Sequence, residues 1–200
     1  MKDFFKMLVS IPNKIYFIYQ QIRFKPVREG KLTVRGRVYM YSSKGAIRFG
    51  DNVEINSCLK ANPIGGSDKT ILYAKPGATI SIGNRVGISN SSIYAAEKIV
   101  IDDYALIGGD CYIYDTDFHS LDSSQRGSKT EIINTSAVYI GKHTFIGAHS
   151  IILKGVSIGD NSIVAAGSVV TKDIPANQVW GGAPARFIRD LKQDEDTMDC

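Results

Sequence analysis

The chain has 200 residues and a mass of 21.9 kDa, with 44% hydrophobic and 22% charged residues; this excludes a disordered polymer and suits one globular domain with a sizeable core. Three cysteines, Cys58, Cys111 and Cys200, are too few and too scattered for a disulfide framework or a zinc cluster, and no cleavable secretory pattern opens the chain, so a reducing cytoplasm is the expected compartment. The formal net charge of +4 is unevenly spread: residues 1–37 carry nine basic side chains against Asp3 and Glu29, whereas the closing "DLKQDEDTMDC" is acidic. Nucleic acid is not an expected partner, because the basic residues form one terminal segment without a reading motif.

Residues 1–40 read as a helical, amphipathic segment. Within "MKDFFKMLVSIPNKIYFIYQQIRF" the apolar residues are interrupted by Lys6, Pro12 and Lys14, so no run approaches the roughly 20 residues of a membrane span. Two uses remain open for its apolar side: packing on the fold or on a sister subunit, or resting on an anionic membrane as a peripheral contact.

Further along, the chain acquires a beat of six. A weak trace opens at Phe49 with "FGDNVE" and continues at Ile55 with "INSCLK". "IGNRVG" leads from Ile82 to Ile88, and after a one-residue slip "IDDYAL", "IGGDCY" and "IYDTDF" start at Ile101, Ile107 and Ile113. From Ile140 the units are "IGKHTF", "IGAHSI", "ILKGVS", "IGDNSI" and "VAAGSV", with Val170 opening the next. Strands alternate with period two and helices with period near 3.6; a six-residue unit is natural only for an all-β solenoid of short flat strands and tight turns. Each aliphatic residue is expected to point inward and stack on its equivalents, and the Gly, Asp and Asn that follow suit the corners.

The beat stops between residues 114 and 139, which are too polar for another coil. A solenoid accepts insertions only at its corners, so this segment is expected to protrude as a loop, carrying His119 within "DTDFHSLD". The expected organisation is an N-terminal segment over 1–40, a coil domain over 41–185 interrupted by that loop, and a short C-terminal helix with an acidic tail over 186–200.

Over roughly residues 45–190 the sequence resembles the hexapeptide-repeat acyltransferases. The segment "IGKHTFIGAHSIILKGVSIGDNSIVAAGSVVTKDIPANQVWGGAPARFIRDL" is similar to the galactoside and maltose O-acetyltransferase branch and to polysaccharide O-acetyltransferases; "GGAPAR" departs from the usual pattern by placing Ala183 where Asn is common. The resemblance implies a left-handed parallel β-helix and a homotrimer with three active sites in clefts between subunits. It also implies acetyl-CoA as acyl donor, a carbohydrate acceptor and a corner loop that delivers a catalytic histidine.

By that resemblance His119 is the catalytic base. The chemistry suits the residue type: a hydroxyl attacking a thioester must lose its proton, and an imidazole of ordinary pKa, near 6.5, accepts it at neutral pH. The partner of the other ring nitrogen is open between Asp117, Asp122 and a backbone carbonyl. Matching the family's motifs assigns Ala148 and Ala166 to the pantetheine arm, Thr171 and Lys172 to its outer end, and Arg186 and Arg189 to the nucleotide phosphates. Asn90 or Ser89, about 30 residues before His119, is assigned to the acceptor, with Asp117 also on that side.

His143 and His149 invite a metal reading, but six residues carry a triangular coil onto its next face, so the two do not share a site and no metal is expected. Cys111 lies on a regular coil and reads as a small inward residue rather than a nucleophile. Two other functions remain as alternatives: an N-acyltransferase of an amino sugar, and a non-catalytic binding protein on the same scaffold. A serine acetyltransferase is disfavoured because its longer helical N-terminal domain is missing from residues 1–40.

Overall fold

The computed structural model describes residues 12–43, 46–64 and 69–191; residues 1–11 and the acidic tail from 192 onward, on which parts of the terminal expectations fall, lie outside the described residues. Among the described residues a single helix, Asn13–Phe24, precedes nineteen strands, and the strands stack in three rows. Row A holds Val27–Arg28, Ile47–Phe49, Thr79–Ile82, Lys98–Ile101, Val138–Ile140 and Ser157–Ile158. Row B runs through Val53–Ser57, Gly87–Ser89, Leu106–Ile107, Phe145–Ile146, Ile163–Val164 and Gln178–Gly181, and row C through Lys69–Ala74, Ser92–Ala95, Tyr112–Tyr114, Ile151–Ile152 and Val169–Val170. The chain visits A, B and C in turn, and each strand pairs in parallel with its counterpart one coil later.

The six-residue beat is the consequence of this winding. Ile140 and Ile158 sit inward on row A, Ile146 and Val164 on row B, Ile152 and Val170 on row C, all buried. Ile88 is fully buried on row B with Ile55 below it and Ile107 above. Parallel register places like on like, so the core is a set of aliphatic columns with no layer of its own to fill.

The residues after each aliphatic make the A-to-B corner. In "FGDN", "IGNR", "IDDY" and "IGDN" the Asx side chain accepts a backbone N–H from the coil below: Asp51 from Lys31 at 2.7 Å, Asn84 from Asp51 at 2.8 Å, Asp103 from Asn84 at 2.7 Å and Asp160 from Lys142 at 2.8 Å. Glycine is wanted for closeness as well as for turning. A Cβ on Gly147 would overlap the backbone of Ala166 in the next coil.

Two expectations are corrected. The coil begins at Val27 rather than at residue 41, because Leu32–Tyr41 is one long strand that serves two rows: Leu32–Gly36 pairs with Val53–Ser57, and Arg37–Tyr41 pairs with Lys69–Tyr73. Its corner is Gly36 alone, at φ +99°, which leaves no six-residue signature to read. The C-terminal helix is absent from residues 186–190. Arg186–Asp190 is instead a strand antiparallel to Gln178–Gly181, because Gly182 at φ +98° reverses the chain and Phe187 pairs across from Trp180, their rings 6.5 Å apart edge to face.

The helix closes the other end. It lies on the outer side of row C through Tyr16, Gln20 and Phe24, with Tyr16 5.2 Å from Tyr39 and Phe24 5.7 Å from Tyr41, ring to ring. Gln20 accepts the Met40 N–H at 3.0 Å and donates to the Tyr16 hydroxyl at 2.9 Å, so a backbone donor at the sheet edge is satisfied. Among the described residues no helix is long and apolar enough to cross a membrane. Truncating one column member tests the stacked-column account: Ile88→Ala should lower the unfolding free energy by about 3 kcal/mol, read from urea denaturation with an unchanged m-value.

Candidate active site

The interruption leaves the coil at the C-to-A corner, between Tyr112–Tyr114 and Val138–Ile140, as the sequence led one to expect. Its root is fastened by Asp115, a fully buried carboxylate that accepts the backbone N–H groups of Ala96, Glu97 and Lys98 at 2.6, 2.8 and 2.7 Å. The two arms then pair briefly, Ser136 N–H to Asp115 O at 3.0 Å and Asp117 N–H to Asn134 O at 3.1 Å. Phe118 follows in the left-handed region, at φ +63°, with its ring 4.8 Å from Tyr94 and 5.2 Å from Tyr114. Tyr94 is in turn the end of a stack, Tyr41 on Tyr73 at 4.6 Å and Tyr73 on Tyr94 at 4.8 Å.

This platform presents His119, whose side chain is 65% exposed. Its Nδ1 lies 3.3 and 3.4 Å from the two carboxylate oxygens of Glu131, on the returning arm. A carboxylate only accepts, so this contact assigns the proton to Nδ1 and leaves the lone pair on Nε2. The Ser120 N–H donates to the same carboxylate, and that bond, with a lesser contribution from His119, holds the Glu131 carboxyl below the ordinary range. Neither aspartate proposed for this role is at the ring. Asp117 faces the Lys154 ammonium at 3.5 Å, and Asp122 accepts from Ser124 Oγ at 2.7 Å and Ser124 N at 2.9 Å within its own turn.

The other candidates divide between corners. Asn90, Ala148 and Ala166 all lie at the B-to-C corner, where Asn90, Asp110, His149 and Gly167 supply the left-handed turn residues and Ala148 and Ala166 each precede one. Small residues keep that lane open: Ala148 is half-buried, Ala166 and Gly167 are exposed, and a Cβ on Gly108 would meet the backbone of Ala148. Ser89 points instead onto the outside of row B, into a groove of about 460 Å³ that it shares with Asn56, Arg85, Gly87, Leu106 and Phe145. Thr171 and Lys172 are exposed at the C-to-A corner, on the same side of the coil as His119, and Arg186 and Arg189 are exposed on the terminal antiparallel strand. Within one chain, therefore, His119 and the lane of Ala148 and Ala166 stand at different corners.

Two buried amide atoms at the B-to-C corner have no hydrogen-bond partner among the described residues: Asn90 Oδ1 and Asn62 Nδ2. Asn62 belongs to a corner excursion after Val53–Ser57, and its amide nitrogen lies where a Cβ on Gly109, two coils away, would meet it at 2.8 Å. His143 and His149 are indeed on separate corners, His143 stacked on Tyr104 at 4.5 Å and His149 3.3 Å from Asp110. Cys111 is buried in the inward column of Thr70, Ser91, Ser150 and Ser168, and burial pushes its thiol up, away from the thiolate a nucleophile needs. No group of three or more metal-ligating side chains is assembled among the described residues.

The family model described as the hexapeptide repeat of succinyl-transferase matches residues 137–172. The galactoside O-acetyltransferase of Escherichia coli is 33% identical over 60% of this chain and 61% of its own length. Among solved structures, an N-acyltransferase from Bacillus cereus, in complex with dTDP and coenzyme A, superposes with a TM-score of 0.69 at 27% identity over 88% of this chain and 89% of that one. A hexapeptide-repeat acetyltransferase from Vibrio cholerae, complexed with acetyl coenzyme A, gives 0.62 at 26% identity over 92% and 80%.

The chain carries the hexapeptide repeat over residues 137–172 and is similar to hexapeptide-repeat acyltransferases. It spans less than two thirds of the length of the curated relatives that it matches. Glu131 and Asn62 carry no signal in the sequence. Both lie in segments outside the six-residue beat, where only the folded loop brings them to the sites they face. If Glu131 orients the ring, Glu131→Gln should lower turnover by roughly ten- to a hundredfold with little change in KM, less than loss of the base itself. In a His119→Ala background the same change should cost nothing further, which steady-state kinetics on the double variant will read.

Proposed function

We propose that the chain is an acetyl-CoA-dependent O-acetyltransferase that modifies a hydroxyl of a saccharide, a unit of a surface polysaccharide being the acceptor class this branch of the family suggests. In this reading the coils wind as a left-handed parallel β-helix, a solenoid, and three copies associate so that each site is shared. The observation that carries it is the separation of His119 at the C-to-A corner from the small-residue lane at the B-to-C corner, which a second copy would bring together. The coenzyme A and acetyl-coenzyme A complexes of the solved relatives support the donor assignment.

In this mechanism Nε2 of His119 takes the proton of the acceptor hydroxyl while that oxygen attacks the thioester carbonyl. The carbon–sulfur bond then breaks, and the proton returns from the imidazolium to the departing thiolate, so no charge is left on the protein. Glu131 stabilises the imidazolium and keeps Nε2 facing the acceptor. A backbone N–H of the rigid lane is suited to the developing oxyanion. The orphaned Asn90 and Asn62 amides, one an acceptor and one a donor, suit a polyhydroxylated ligand that supplies both kinds of partner.

A second reading is favoured by one comparison: the Bacillus cereus relative is an N-acyltransferase. Amino sugars would use the same base and donor. A mass-spectrometric screen with acetyl-CoA and paired hydroxy and amino sugars separates the two, the O-acetyl reading expecting products with sugars that lack an amine.

The shared site has its own test. His119→Ala should lower kcat by roughly 10²–10⁴-fold, and Ala148→Trp should block the lane. Neither alone is active, but randomly mixed trimers, with a mass near three times 21.9 kDa by light scattering, should recover about a quarter of wild-type activity, since one in four boundaries joins an intact histidine to an intact lane. No recovery, or a fully active monomer, rules out the shared site. For the donor, charge-assisted contacts to phosphate make Lys172→Ala or Arg186→Ala raise the acetyl-CoA KM about ten- to a hundredfold at nearly constant kcat. Unchanged KM in both would mean that these residues only decorate the surface.

A further inference from the structure

The helix Asn13–Phe24 has two apolar sides, and the fold uses one. Tyr16, Gln20 and Phe24 face row C, whereas Ile15, Ile18, Tyr19 and Ile22 are 57, 55, 46 and 68% exposed. Their spacing of three, four and seven residues places them in one stripe along a helix about 18 Å long. Isolated exposed apolar residues are ordinary; four in register on one helix face, three of them isoleucine, are not.

Charge says what covers the stripe. Lys14 opens the helix, Arg23 closes it and Lys25 and Arg28 follow, while residues 12–28 contain no acidic side chain. Arg23 donates to the Tyr19 hydroxyl at 2.8 Å, which holds a guanidinium at the border of the apolar stripe. A second copy of this chain seated on the stripe would gather like charges, with no acid in either helix to offset them. A bilayer with anionic headgroups accepts both features at once, the isoleucines below the headgroups and the cations among them. We infer that the exposed face of this helix is a docking surface for an anionic lipid membrane, holding the coil against the bilayer as a peripheral protein.

Vesicle sedimentation of the full chain tests this, with phosphatidylglycerol mixed into phosphatidylcholine at about three in ten, against phosphatidylcholine alone. The wild-type chain should sediment with the anionic vesicles, stay in solution with the neutral ones, and be released by roughly 0.5 M NaCl, where the Debye length falls to a few ångströms. Ile18→Glu with Ile22→Glu should abolish binding while light scattering reports an unchanged mass. Lys14→Ser with Lys25→Ser, which leaves the apolar stripe intact, should weaken partitioning about 25-fold, near fivefold for each cation. Absence of wild-type binding to anionic vesicles overturns the inference. So does a loss of mass in the glutamate variant, which would assign the stripe to contact between copies. Should the glutamate variant fail to fold, undiminished binding by the lysine variant overturns it independently.

Discussion

Everything in this molecule hangs on parallel register, which sets an aliphatic residue directly above its equivalent in the coil before. Ile88 between Ile55 and Ile107 is one link of such a column, and each row repeats it. The core is therefore built one coil at a time and is only as wide as the side chains that meet in its middle. No coil can change its length along a strand without breaking three columns, so variation is driven to the corners. The second inward column of row C shows the same economy of space: Thr70, Ser91, Cys111, Ser150 and Ser168 are all small, and Cys111 is one more filler among hydroxyls.

Corners thus become the chemically free part of the fold, and two of them are developed differently. At the C-to-A corner a long loop is made rigid at its root by a buried carboxylate with three backbone donors, and farther out by an aromatic stack that ends on Phe118. His119 therefore borrows its position from the coil although it is not part of it. At the B-to-C corner the opposite device operates: side chains are removed, leaving glycine and alanine over backbone, with one amide atom each of Asn90 and Asn62 buried and without a partner among the described residues. A long fastened loop and a lane stripped of side chains place incompatible demands on one corner, and the coil assigns them to two.

A stack of open coils has ends, and each end exposes backbone that would pair with another strand. The first coil is covered by the helix, where Gln20 satisfies the Met40 N–H; the last is closed by a strand that turns back on itself and runs antiparallel. The covering helix is apolar toward row C and on its far side as well, where Ile15, Ile18, Tyr19 and Ile22 stay exposed.

The period of six was legible because it is dictated locally. An aliphatic residue, a glycine and an Asx side chain recur wherever the chain meets the same corner, so Ile140 to Val170 declare the coil without any knowledge of what lies across from them. The protruding loop was legible as an absence of that period, and His119 as its one imidazole. The start of the coil at Val27 was not, since Gly36 alone makes the turn, and the closing strand Arg186–Asp190 was not, since its partner is chosen by the reversal at Gly182. Glu131 at the imidazole and Asn62 against Gly109 are contacts between segments with no shared repeat, which only the folded chain brings together. Local spacing determines which residues point inward; the closing of loops in three dimensions decides which polar groups meet, because that depends on how two arms leave a corner and not on the letters within either arm.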